Sequence, residues 1–277
     1  MAERICPGLP AEWLNGWLAA LGATVAVPGM TLRWTDDAEP VAVLALDGDV
    51  DPAEALADAW PTPEWIEGLP IANLTRQDGV EQWRSAARAS RSGGDAWTVT
   101  SIGTDAADLE KLTPSRLFVA APGPGRFLCH RVELVAGKIE DAAREVDMTL
   151  RGVAPRRRSN GLGFDFRRVA SSADEAEKCV TPCVEVLAFL GMWFYPVCGH
   201  ERLRHPTAVT RANPSNGPFS WIAWTAALDR DAIDAILDVA RDDRHASRLG
   251  ISAAWESVSL RVEGADPTRA FASRRIR

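Results

Sequence analysis

Five arginines in one short stretch carry the strongest chemical signal in the chain. Arg156, Arg157 and Arg158 stand together, and Arg167 and Arg168 follow on the far side of Ser159-Asn160-Gly161. Guanidinium forks grip phosphate oxygens in two-pronged fashion, and a loop can follow a backbone groove, so the pattern points to contact with a polyanion. The plainer alternative is a solvated loop whose arginines pair with nearby acids. A second basic group, Arg202, Arg204, His205 and Arg211, lies among Pro206, Asn213, Pro214, Asn216, Gly217 and Pro218. Such turn-forming residues can hold a ligand or simply join a helix to a strand. The terminal Arg274, Arg275 and Arg277 read as a frayed tail.

Cys179, Cys183, Cys198, His200 and His205 supply the right donor types for tetrahedral zinc. Their spacing follows no compact zinc motif, and Cys183 falls where a buried helix begins. Buried thiols acting as small apolar groups account for the set equally well, so no metal or other cofactor is assigned. The chain has no GxxxxGK[ST] phosphate loop, no GxSxG elbow, no HExxH, and no HxE paired with PCxxC. Gly161-Leu162-Gly163 is not followed by the glycine a dinucleotide turn requires. Asp165, between two phenylalanines, reads as a structural hydrogen-bonding carboxylate rather than a general base. No catalytic residue is assigned, and the chain is read as a non-enzyme.

Charge places any phosphate-binding surface. The 277 residues carry 31 Lys+Arg and 38 Asp+Glu, a formal net charge of −7, which argues against a generic polyanion binder. Residues 1–120 hold 8 basic and 18 acidic residues, net −10, whereas residues 121–277 are net +3. A phosphate surface therefore belongs in the second half, and the acidic first half suits a basic partner. Eleven Trp against one Tyr and 8 Phe is an unusual ratio. Base stacking on Trp is one use; packing in the core and on sheet faces should claim most of them.

The elements that would position these residues follow from apolar spacing. Helices are expected at about 10–21, with Gly22 as the stop, at 51–59 behind Asp51-Pro52, and at 138–150. Further helices fit 180–192 and 229–241. Strands are expected at 30–34 and 41–46 as a hairpin, at 98–102, 117–121, 127–135, 162–166 and 219–224, and lastly in the alternation Val258, Leu260, Val262. Residues 86–95 read as a mobile loop. The sum is an α+β fold with a mixed, mainly antiparallel sheet packed on helices. It divides into an acidic α+β region at 1–95 and an α+β region with basic loops at 96–277, or forms one continuous domain. No internal repeat or heptad pattern stands out. An odd count of five cysteines without an export signal, and no long apolar stretch, lead to the expectation of a cytoplasmic protein without disulfides or membrane spans.

Two segments resemble a known group. GLPAEWLNGWLAALGATVAVPGMTLRWTDD, with its Ala20-Leu21-Gly22 motif, resembles the start of CRISPR-associated proteins from type I-G (formerly I-U) loci. LGFDFRRV, VTPCVEVLAFLGMWFYP and GPFSWIAWTAAL are similar to the second half of the same loose group, which includes large-subunit-like proteins and a small protein associated with the helicase-nuclease. The resemblance spans residues 8–50 and 160–228. It implies a non-enzymatic subunit of an antiviral interference complex, contacting guide RNA or target DNA and other subunits. Arg156, Arg157, Arg158, Arg167, Arg168, Arg204 and Arg211 are then the candidates for phosphate contact. Two alternatives stay open: an adaptor that docks on the helicase-nuclease without touching nucleic acid, and a zinc-dependent enzyme.

Overall fold

A computed structural model describes residues 1–67, 82, 85, 126–159, 161–166, 179–194, 217–239, 248–260, 269–270 and 272–277. The chain opens with strand β1 (Ala2–Pro10), not with a helix. Pro7, Gly8 and Pro10 disguise it in the sequence, yet an edge strand tolerates proline, since one side of its backbone needs no partner. Helix α1 (Leu14–Ala26) follows, then β2 (Thr31–Trp34) and β3 (Val41–Leu46) as the expected hairpin. The apolar run Val41–Leu46 takes the middle of the sheet. β1 pairs antiparallel with it from Ala2↔Leu46 to Cys6↔Ala42, and β2 pairs on the other side from Thr31↔Ala45 to Trp34↔Ala42. Asp51 caps helix α2 (Pro52–Asp58), its carboxylate accepting from Ala53 N at 2.7 Å. A strand order of β1-β3-β2 with helices after β1 and β3 is the connectivity of the first five elements of a β-α-β-β-α-β unit.

Helix α3 (Pro63–Glu67) and helix α4 (Arg126–Ala136) come next. α4 overturns the expectation of a strand at 127–135. Among its described side chains Cys129, Val132, Val135 and Ala136 are buried, a spacing of three and four that suits a helix and not a pleat. Helix α5 (Ala142–Leu150) begins later than expected, because residues 137–140 form a turn and Asp141 caps the helix at Arg144 N, 3.0 Å away. Short strands β4 (Arg157–Arg158) and β5 (Cys179–Val180) pair antiparallel. Residues 162–166, expected as a strand, instead form a turn around Gly161 and Gly163, whose φ values of 53° and 92° no strand accommodates.

Helix α6 (Pro182–Gly191) is buried along its whole length and ends in a 3-10 turn at Met192–Phe194. Strand β6 (Gly217–Trp224) and helix α7 (Arg230–Val239) follow close to expectation, whereas strand β7 (Ile251–Leu260), which pairs antiparallel with β6, begins seven residues before the expected alternation at Val258. β7 is not the last strand: β8 (Arg269–Ala270) and β9 (Arg274–Arg275) both pair with it. The C-terminal arginines are accordingly not frayed. Arg274 binds the Glu256 carboxylate, while Arg275 stacks 5.7 Å from the Trp255 ring and donates to Ala38 O at 2.9 Å. The expected strands at 98–102 and 117–121 and the loop at 86–95 lie outside the described residues. The fold is α+β, with antiparallel sheets packed on helices. Among the described residues no helix is long and apolar enough to cross a membrane.

One cluster of buried side chains runs from Cys6 to Trp255 and draws on both halves of the chain. Tryptophan does much of the joining. The indole N–H of Trp17 donates to Ile222 O at 2.8 Å, that of Trp221 to Ala11 O at 2.7 Å, and that of Trp224 to Leu32 O at 3.1 Å. Each ring fills the core while its polar edge finds a backbone acceptor about 200 residues away in sequence, the combination that makes indole useful at such a junction. A reciprocal backbone bridge between Leu32 and Leu228, at 2.8 and 3.0 Å, ties the hairpin to the chain after β6.

The centre of the core is the α1/α6 pair. Both helices are apolar all round, so each must be covered on more than one side: α1 lies between the first sheet and α6. A Cβ at Gly22 would fall well under 3.0 Å from Leu187 O, and one at Gly191 equally close to Leu18 O. Gly22 therefore does not stop the helix. It sits inside α1 because the backbone of α6 occupies the space a side chain would need. The matching pentapeptides Leu18-Ala-Ala-Leu-Gly22 and Leu187-Ala-Phe-Leu-Gly191 place these contacts reciprocally.

Candidate anion-binding site

Strand β4 holds the arginine cluster against α5 and the turn at 161–166. Arg157 pairs with Glu145, a buried carboxylate of α5. Arg156 uses Nη2 for both of its described contacts, Asp165 Oδ2 at 3.2 Å and the carbonyl of Cys179. Asp165 is only 1% exposed, and its structural role matches the expectation from sequence. Burying these carboxylates is tolerable because each has a guanidinium beside it. Arg158 is exposed and has no ion-pair partner among the described residues. Arg156 and Arg158 are thus both exposed, Arg156 being shared between an acid and a cavity, and Arg157 is committed to a buried acid.

That cavity has a volume of about 310 Å³. Its walls are Pro7 and Gly8 of β1, Trp13, Asn15 and Gly16 at the start of α1, Thr149, Gly152 and Ala154 at the end of α5, Arg156, and Thr181 and Val184 at the start of α6. Gly8 and Gly152 make the floor possible: a Cβ at Gly8 would collide with Thr149 O, and Gly152 has φ 76°. Since the first turns of α1 and α6 share this cavity, both N-terminal ends point at one place. Neither helix has a side-chain cap; Trp13 and Thr181 hold the N-cap positions without bonding to the first turn. The first intrahelical bonds are Trp17 N to Trp13 O and Glu185 N to Thr181 O. N–H groups of Leu14, Asn15 and Gly16, and of Cys183 and Val184, accordingly lack helical acceptors. Two helix N-termini bring about half a positive charge each. Arg156 adds a guanidinium that is ion-paired with Asp165 at 3.2 Å, and the buried Glu185 stands in the first turn of α6.

Asn15 is 1% exposed, and its Oδ1 is buried without a hydrogen-bond partner. That oxygen is closed off from the cavity, and sequence reading passes over the residue because asparagine inside an apolar helix carries no motif. Glu185 is missed in the same way. It is fully buried in α6 and accepts from Leu162 N at 2.5 Å, so its carboxylate faces the glycine turn, and neither it nor Glu145 lines the cavity.

At the other end of the same helix pair a cavity of about 520 Å³ is lined by Val25, Ala26, Leu190, Asp58, Trp60, Trp65, Trp193 and Arg230, among others. The Arg230 guanidinium lies 5.2 Å from the Trp193 ring centre, a cation–π contact.

Of the other sequence candidates, Arg167, Arg168, Arg202, Arg204, His205 and Arg211 lie outside the described residues. So do Cys198 and His200 of the possible zinc set. Cys179 is half-buried in β5, and Cys183 is buried in α6, where burial pushes its thiol up to about 12. Among the described residues no group of three or more His, Cys, Asp or Glu is placed to hold a metal ion. No family model, curated protein or solved structure matches the chain.

Proposed function

We propose that the chain is a non-enzymatic subunit of a CRISPR-type antiviral interference complex that contacts the phosphate backbone of guide RNA or target DNA. The observation that carries the reading is the meeting of two uncapped helix N-termini with Arg156 at one cavity, beside the exposed Arg158. The cavity offers backbone and guanidinium donors on a chain that is net acidic. Backbone phosphates are the natural ligand of such an end, because helix N–H groups and a guanidinium supply donors without reading sequence. Other subunits would meet the acidic first half. Asp36, Asp37 and Glu39 in the β2–β3 turn and Asp47 and Asp49 after β3 are all exposed, a surface suited to a basic partner.

The test is binding to labelled single-stranded RNA, single-stranded DNA and duplex DNA over a salt series, with Arg158→Ala alongside. Replacing all three arginines would strand Glu145 and Asp165 without their cations, so the exposed residue is the cleaner probe. Binding should fall as salt rises, and the variant should lose about 0.7–0.9 from the log–log slope, one phosphate contact. A folded protein that binds none of the three at low salt refutes the reading. Pull-down of partner subunits that is lost when the exposed acids are reversed would then identify an adaptor.

A further inference from the structure

We infer that the cavity of about 520 Å³ at the far end of the α1/α6 pair binds one nucleotide, its base against the indoles of Trp60, Trp65 and Trp193, an N–H of the base donating to Asp58, and its phosphate on Arg230. The choice of a nucleotide over other ring-bearing anions rests on the reading above. The site itself shares no residue with the cavity at Arg156 and does not include Arg158.

The walls select a flat ring. All three indoles are half-buried and pack against the edge of the core, so each leaves part of its surface outside that packing. Stacking on indole suits any base, since every base has a π-face. The volume lies within the range of small-molecule sites and admits one nucleotide unit, not a duplex. Charge then decides which way round the ring lies. Asp58 makes no hydrogen bond or ion pair among the described residues, and the Arg230 guanidinium, 5.2 Å from the Trp193 ring centre, bonds only through Nε, to Asp231 at 3.3 Å. That pair joins adjacent, exposed side chains and holds the arginine weakly. Both Nη nitrogens are left to take a phosphate in two-pronged fashion. A carboxylate and a guanidinium that line one cavity without pairing with each other are complementary to a ligand with a donor at one end and an anion at the other. A nucleotide is such a ligand, with N–H groups on the base edge and the phosphate beyond the sugar. The last residues of α1, Val25 and Ala26, also stand here, and neither α1 nor α2 has a basic residue in its last turn. Their end carbonyls add acceptors for the base and confine the phosphate to Arg230.

Two sources share this chemistry: a free nucleoside monophosphate and an unpaired nucleotide of a single strand. Calorimetry on the full chain compares the four ribonucleoside 5′-monophosphates with ribose 5-phosphate, which lacks the base, and with adenosine and guanosine, which lack the phosphate. The best monophosphate should bind about ten-fold more tightly than either control, because stacking and a charge-assisted fork each contribute on that scale. Arg230→Ala should bring it down to the nucleoside and leave nucleoside binding unchanged, Asp58→Ala should weaken nucleoside and monophosphate alike, and Arg158→Ala should change neither. In the strand arm, Arg230→Ala should weaken single-stranded RNA or DNA and spare a blunt duplex if a strand is the source; strand binding unchanged while monophosphate binding falls marks a free nucleotide. The parent's preference is decisive even if a variant fails to fold. No preference for a monophosphate together with single-strand binding that ignores Arg230→Ala overturns the inference, as does tighter binding of L-phenylalanine, a ring-bearing zwitterion, than of any monophosphate. Monophosphate binding without salt-sensitive binding of RNA or DNA would retain this site and discard the proposed function. Salt-sensitive nucleic-acid binding that depends on Arg158 and ignores both the base and Arg230 would do the reverse.

Discussion

Replacing Gly22 with alanine sets two known effects against each other. Alanine is better than glycine in a helix interior by about 1 kcal/mol, so in an isolated helix the change stabilises. Here the new methyl would meet Leu187 O well inside the 3.0 Å that real Cβ atoms respect, and the obstacle is backbone, which no rotamer change can move aside. Reaching ordinary contact at 3.4 Å or more requires the two helices to part by more than about 1 Å along a tightly packed seam. Strain and lost packing of that kind cost about 3–4 kcal/mol, leaving a net destabilisation of about 2–3 kcal/mol. Gly191→Ala should behave alike through Leu18 O. The double variant should lose less than the two singles added together, because helices already parted for one methyl have room for the second. Gly29→Ala is the control. It meets nothing within 4 Å, so its cost comes only from its φ of 79° and should be about 1–2 kcal/mol. Urea unfolding followed by far-UV circular dichroism reads all four. If Gly22→Ala is as stable as the parent or more so, the close approach of α1 and α6 is wrong and with it the placing of both N-termini at one cavity.

Three further outcomes can be checked. Arg157→Ala leaves Glu145 buried without its cation and should cost about 3–5 kcal/mol, whereas pairing it with Glu145→Gln should recover much of the loss; urea unfolding of the single and double variants measures both. Arg4 bridges Asp51 at 2.8 Å and Asp147, and its hydrogen bond holds the Asp147 carboxyl below the usual 3.8. A carboxyl depressed in the folded state stabilises above its unfolded value and loses that contribution as pH falls, so the stability gap between parent and Asp147→Asn should be full at pH 7 and close below pH 3.8. Burial pushes the thiols of Cys6, Cys129 and Cys183 up to about 12. Iodoacetamide at pH 8, read by mass spectrometry, should leave these three unmodified in the native protein and modify them in urea.

Where one local signal decides the structure, the sequence is readable. Asp51-Pro52 opens α2 because cap and first turn are both local, and the hairpin of β2 and β3 follows from two apolar runs and a polar turn. Reading fails where a distant partner decides. Gly22 is a stop signal by local rules, and only the backbone of α6 explains why it belongs within a helix. In α4 the aromatic and β-branched types of Phe127, Val132 and Val135 favour a strand by local preference. The burial of Cys129, Val132, Val135 and Ala136 against the core settles it as a helix, and that burial is a tertiary fact. At the site, the arginine run is visible, yet which two of its members pair with acids is not, since Glu145 and Asp165 are separated from it in sequence. Asn15 stands out only through its burial, again a tertiary fact.

The reciprocal glycine contact also has a consequence for how the protein is made. α1 leaves the ribosome long before the segment that covers it. At about 5–20 residues per second, α6 follows roughly 10–30 s later. Trp17 waits longer still for Ile222, 205 residues on. Throughout that interval an apolar helix has one face without its partner, and contacts so distant in sequence make for slow closure. A nascent chain therefore keeps this apolar seam uncovered until α6 is made, and a fragment ending before Pro182 would expose it permanently.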